Sequence, residues 1–236
     1  MLTNQEDIKK WLAKFNLKNF FLNHDLSVSF LSDFIINNTD ITHIPFKISS
    51  VEGVFNLESN QINNLNGFPK YVGGSIILDN NNIISLEGFP NNCEHSISLN
   101  NNKINSFKGI PSNINGSLYI INNPISSFEF SPNRIAGTFH INSDLITTLQ
   151  FFPRIFGNSL IQCDNLVNFQ HNILLINQKI IFDITNFNNK TGFNLICSIK
   201  EGKEYCALTL EELNQVILYI NISKSLPNNH IYRNKI

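Results

Sequence analysis

Charge is scarce in this chain. Lys and Arg total 17 against 18 Asp and Glu, so only 15% of the 236 residues are charged and the formal net charge is −1. No basic stripe is visible, and nucleic-acid binding is not expected. Carboxylates are scattered, so no paired acid–base constellation can be nominated. Four cysteines in a chain this size do not form a disulfide framework. The expected setting is reducing: the cytoplasm of the producing cell or of an infected host cell. No apolar run reaches the roughly 18 residues a membrane span needs. The stretch from Met1 to Lys10 is polar, with no apolar segment behind it to make a signal peptide. The histidines (His24, His43, His95, His140, His171, His230) keep no metal-ligand spacing. No Cys-x-x-Cys, Gly-x-Ser-x-Gly or phosphate-loop pattern occurs. No catalytic residue, metal or cofactor is therefore expected.

What the chain has instead is repetition. Asn60, Asn81, Asn102 and Asn123 stand 21 residues apart. The same step forward lands on Asp144 and Asn165, and one step back on Thr39. Pro69, Pro90, Pro111, Pro132 and Pro153 keep the same interval. With the Asn as position zero, apolar residues fill positions −5, −3, +2, +5 and +12; in one unit these are Ile76, Leu78, Ile83, Leu86 and Cys93. The alternation at −5 and −3 predicts a short half-buried strand. The remainder is short and rich in Asn, Gly and Pro, which predicts a return by turns and irregular chain. One such unit cannot bury its own apolar edge, but a stack can. The Asn column then reads as a buried polar ladder, because an amide carries both donors and an acceptor for backbone groups that the turn leaves open. Gly67-Phe68-Pro69, Gly88-Phe89-Pro90 and Gly109-Ile110-Pro111 read as turns, with Gly taking a positive φ and the middle residue plugging the core. Gly73-Gly74 has no helix start behind it and is not a phosphate loop.

The pattern L-x-L-x-x-N-x-I resembles the leucine-rich-repeat superfamily at the short end of its length range. A closer likeness is to short-repeat proteins of large tailed phages and AT-rich bacteria, whose units read roughly L-x-G-x-P-x-x-V-G-G-x-L-x-L-x-x-N. Leu65 to Asn81 follows that line almost letter for letter, and Ile8 to Val28 is similar to their N-termini. The resemblance implies a solenoid of leucine-rich-type repeats and little about function. Secreted bacterial ubiquitin ligases also carry short Pro-containing repeats, with a Cys-x-Asp motif on a large helical domain. Here Cys163-Asp164 lacks the spacer and the remaining chain is too short, so that activity is not carried over.

Along the chain, three regions are expected. Residues 1–32 form an N-terminal cap. In it Thr3-x-x-Glu6 opens a helix with Ile8, Trp11, Leu12 and Phe15 on one face. Phe20 to Leu22 and Leu26 to Phe30 then form a hairpin around Asn23-His24-Asp25. Residues 33–170 form the solenoid, decaying from about Asn158. Residues 171–236 form an α/β cap: a strand from His171 to Phe182, a hairpin about Glu201-Gly202 that sets Cys197 opposite Cys206, and a helix opened by Thr209-x-x-Glu212.

Side chains at −4 and −2 point away from the core. That outward face carries Glu58, Ile77, Asp79, Tyr119, Ile121, His140 and Ile161, polar early and apolar or aromatic late. Such a patch suggests either a protein-binding surface or a bed for the C-terminal module. The leading expectation is a monomeric, non-enzymatic module that binds a partner protein, in the manner of a phage or bacterial effector acting on a host protein. Two others stand beside it: a cysteine-based enzyme near the C-terminal module, using Cys163, Cys197 or Cys206, and a structural component of a virion or complex.

Overall fold

The computed structural model describes residues 1–146, Phe151, Pro153 and the strands Arg154–Ile155, Ser159–Gln162, Ile173–Ile176, Lys179–Asp183, Cys197–Lys200 and Lys203–Thr209. Alternation decides the first strand of each coil. Phe34–Ile35, Phe55–Asn56, Ile76–Ile77, Ile97–Ser98, Leu118–Tyr119 and Phe139–Asn142 each begin with a residue of 0% exposure. The next side chain of each stays accessible. These strands pair in parallel at a 21-residue offset, Phe34 with Phe55 and so on to Leu118 with Phe139. The result is a parallel-strand β-solenoid of about five turns.

The return is more regular than the sequence suggested. Each coil adds a second strand, at Ile48–Val51, Tyr71–Val72, Asn92–Cys93, Asn113–Ile114, Arg134–Ile135 and Arg154–Ile155. The reason lies in the apolar column at +12. Val51, Val72, Cys93, Ile114 and Ile135 are buried, while the residue before each remains accessible, so the return also alternates. The first three join Phe20–Leu22 and Val28–Phe30 in a five-stranded sheet, and the last three make a three-stranded sheet. Between the sheets, fully buried Ile, Leu and Phe fill the coil, each contributing roughly 1.5–3 kcal/mol. Phenylalanines stack from coil to coil, as with Phe34 on Phe55 (5.3 Å) and Phe107 on Phe128 (6.2 Å).

The Asn column sits where the chain leaves the long sheet. Asn60, Asn81 and Asn102 are 7% exposed and Asn123 5%. Asn102 is typical. Its Nδ2 donates to the carbonyls of Leu99 and Asn100 in its own coil and of Leu78 in the coil before, while its Oδ1 accepts the Ile83 N–H at 3.1 Å. The ladder ends sooner than the 21-residue count suggested. Thr39 is exposed and is a donor to Asn60, through its N–H and hydroxyl. Asp144 is exposed, and Ser143 is buried in its stead, donating to the Ile125 carbonyl at 2.5 Å. Asn165 lies outside the described residues.

The N-terminal helix is Gln5–Lys14. Asn4, not Thr3, opens it: its Oδ1 accepts the Asp7 N–H at 2.9 Å and its Nδ2 donates back to the Asp7 carboxylate at 2.6 Å. Asn caps a helix as well as Ser or Thr does, and its amide carries both an acceptor for the Asp7 N–H and a donor for the Asp7 carboxylate, so Asn4–Asp7 takes the role one step later. Ile8 and Leu12 join the core, and Trp11 meets Phe46 edge-on at 5.2 Å. The hairpin forms as expected, Phe20–Leu22 antiparallel to Val28–Phe30, and Val28–Phe30 pairs in parallel with Ile48–Val51.

Beyond Phe139–Asn142 the long sheet continues but its register slips. Phe139 pairs with Ser159 and Ile135 with Ile155, offsets of 20 rather than 21. The cause is one missing residue: Asn133 separates Pro132 from Arg134, whereas Arg154 follows Pro153 directly. Antiparallel strands then complete an 11-stranded sheet. The expected His171-to-Phe182 strand is two strands, Ile173–Ile176 and Lys179–Asp183. Cys197 does pair with Cys206. Glu201, Gly202 and the helix expected after Thr209 lie outside the described residues.

Candidate functional site

The outward face of the long sheet is built by a backbone that leaves little choice. Parallel pairing at 21 residues sets Tyr119 beside Ser98 on one side and His140 on the other. The Ile120 N–H is fixed by the His140 carbonyl at 2.9 Å, and the Ile121 N–H by the Asn100 side chain at 2.8 Å. Tyr119, Ile121 and His140 are each half-buried rather than fully exposed. Neighbouring side chains only about 4.8 Å apart cover one another. That crowding strips water from His140 and lowers its pKa below the ordinary 6.5, through burial.

The polar members of this face behave differently. Asp79 accepts from the Ser98 hydroxyl at 2.8 and 2.9 Å, from the Asn100 N–H at 2.7 Å and from the Asn100 amide at 3.2 Å. It is a staple between two coils. Ile77 is in register with Asn56 and with Ser98. Glu58 lies at the same end, its N–H held by the Asn56 side chain at 2.8 Å. Ile161 departs from the expected position. The missing residue after Pro153 pairs it with Ile141, from the inward row, and puts Leu160 beside His140. Cys163, considered as a thiol near His140, lies outside the described residues.

Other candidates resolve into structure. Asp25 accepts the Ser27 hydroxyl at 2.6 Å and N–H at 3.1 Å, with Lys47 at 3.6 Å. The Ser27 hydroxyl above all holds its carboxyl below the usual range, so His24-Asp25 is a turn. Gly74 donates to the Gly53 carbonyl at 2.9 Å, and a Cβ there would lie 2.6 Å from Gly53 backbone atoms, so close coil packing accounts for it. Cys93 is buried, and burial pushes its thiol up. Among the described residues no group of three His, Cys, Asp or Glu is placed to hold a metal ion, and no helix is long and apolar enough to cross a membrane.

Two features went unread in the sequence. The position before each anchor, Asn38, Ser59, Asn80, Asn101 and Asn122, takes a φ of 54–57°. There Asn101 donates to Asn80 at 2.8 Å and Asn122 to Asn101 at 2.7 Å, an exposed second ladder. Asn tolerates the left-handed region better than most residues, which was the available signal. The second feature is at the Gly-Phe-Pro corner, where Phe130 and Phe151 stand in the column of Gly67, Gly88 and Gly109.

No protein-family model, curated protein or solved structure matches the chain.

Proposed function

We propose that the chain is a non-enzymatic, leucine-rich-type repeat protein that binds one partner protein through the outward face of its long sheet. The contact centres on Tyr119, Ile121 and His140, with Ile77, Asp79 and Glu58 toward the polar end. The N-terminal helix and hairpin cap one end of the stack, and the C-terminal antiparallel strands cap the other. The partner is a protein of the producing cell or of its host, as in a phage or bacterial effector. The observation that carries this reading is the pairing of Tyr119 with His140 on adjacent strands. It sets an aromatic ring and an imidazole side by side on a rigid ladder, with Ile121 two residues on. Partly exposed aromatic side chains on a rigid support bind with little loss of conformational entropy.

The test is affinity capture from the native host with the wild-type chain and with Tyr119→Asp/Ile121→Asp. The wild type is expected to retain a partner that the double variant loses, with the melting temperature unchanged. Equal retention by both rejects the sheet face as the contact.

A further inference from the structure

We propose that the corner of the solenoid at Gly67, Gly88 and Gly109 is a second binding groove, and that it takes an acidic, extended peptide segment of a partner protein. An open groove of about 880 Å³ runs along this corner. Its lining carries Lys47, Lys70 and Lys108 against a single carboxylate, Glu87. The whole chain has 17 cations to 18 carboxylates, so a three-to-one ratio here is a local concentration of positive charge. Lys47 is shared with Asp25 at 3.6 Å; Lys70 and Lys108 are exposed. Leu65, Phe68 and Phe89 lend the floor apolar edges.

The groove is open because its central column has no side chains. Gly67, Gly88 and Gly109 take φ of 83°, 88° and 102°. One coil further the same column holds Phe130 (φ 61°), and the next holds Phe151 (φ 63°). Both rings are exposed, at 57% and 61%. The Ser131 hydroxyl donates to the Phe151 carbonyl at 2.8 Å, tying these two turns together. A left-handed conformation costs a non-glycine residue roughly 1–2 kcal/mol. Packing does not explain that cost, because the rings lie outside the core that Phe68 and Phe89 fill from the following position. Strain retained at exposed aromatics points to recognition.

Charge and shape fix the ligand class. Three coil steps separate Lys47 from Lys108, about 14 Å at the usual strand spacing, or four to five residues of extended peptide. Carboxylates would face the lysines, and an apolar side chain beyond them would meet Phe130 and Phe151. A nucleic acid fits less well: three lysines are a short phosphate track, and Glu87 interrupts it.

The experiment is selection from a random 12-residue peptide display library, followed by anisotropy titration of fluorescein-labelled copies of the recovered peptides. Recovered peptides are expected to carry two or more Asp or Glu followed by an apolar residue. Lys70→Glu/Lys108→Glu should weaken binding at least tenfold, and Phe130→Gly about fivefold. Tyr119→Asp/Ile121→Asp should leave binding unchanged, so failure here is separable from failure of the sheet-face reading. Lys70→Ala/Lys108→Ala serves as a milder pair should the charge reversal disturb folding. Recovery of no peptides, or of peptides without acidic residues, overturns the proposal. So does equal binding by the lysine variants, tighter binding of a twelve-residue oligothymidylate, or loss of binding in the Tyr119/Ile121 variant.

Discussion

The side-chain amide of Asn81 donates to the carbonyl of Leu57, 24 residues earlier, at 2.8 Å. The same side chain accepts the Ile62 N–H at 2.9 Å through its oxygen, and its nitrogen also reaches the Leu78 and Asp79 carbonyls. One amide thus closes its own turn and completes the turn before it. A group so placed answers backbone polar atoms that water cannot reach, and among the described residues no buried side-chain nitrogen or oxygen lacks a partner.

The glycine corners should differ in tolerance. An added Cβ at Gly109 would sit 2.3 Å from the Leu86 carbonyl, whereas at Gly88 the nearest atom is 3.5 Å away. Gly109→Ala is expected to destabilise by about 2–3 kcal/mol and Gly88→Ala by about 1 kcal/mol, the latter from its positive φ alone. Urea unfolding of the two variants checks the order; equal losses would show that backbone strain, not crowding, sets the cost.

Phe130→Gly should leave the protein at least as stable as the wild type. Relief of a left-handed φ is worth roughly 1–2 kcal/mol, against roughly 0.4–1 kcal/mol from the added freedom of the unfolded chain. A clear fall in melting temperature would mean that the ring supports the fold.

Acidification should weaken the fold partly through His140. Its pKa lies below the ordinary 6.5 because burial disfavours the charged ring. The unfolded chain therefore takes up the proton first. The stabilisation is complete above about pH 6.5 and is lost as the pH falls through the lowered folded value. Between about pH 7.5 and pH 5 the wild type should lose more melting temperature than His140→Gln. Parallel pH profiles for the two proteins would remove His140 from the explanation.

The sequence made legible whatever repeats on a fixed count. The buried anchors Asn60 to Asn123, the strand pairs and the buried prolines all follow from the 21-residue interval. A fixed count cannot register a deletion, so the lost counterpart of Asn133 displaced Ile161 by one position. It cannot see where a column ends, and so extended the ladder to Asp144. The second strand of each coil was hidden in a segment of two residues, or four in Ile48–Val51. Lys47, Lys70 and Lys108 sit at different offsets within their units, and only the winding of the chain brings them to one corner.

The most direct measurement compares Asn102→Ala with Asn101→Ala by urea unfolding. Asn102 is a buried strut: its loss strands the Ile83 N–H away from water and leaves the Leu78 carbonyl with only the Asn81 amide as a side-chain donor. Asn101 bonds to Asn80 and Asn122 in the open. A fall of about 2–4 kcal/mol is predicted for Asn102→Ala, and less than about 1 kcal/mol for Asn101→Ala. Similar small losses for both variants would contradict a stack held by shared internal amides.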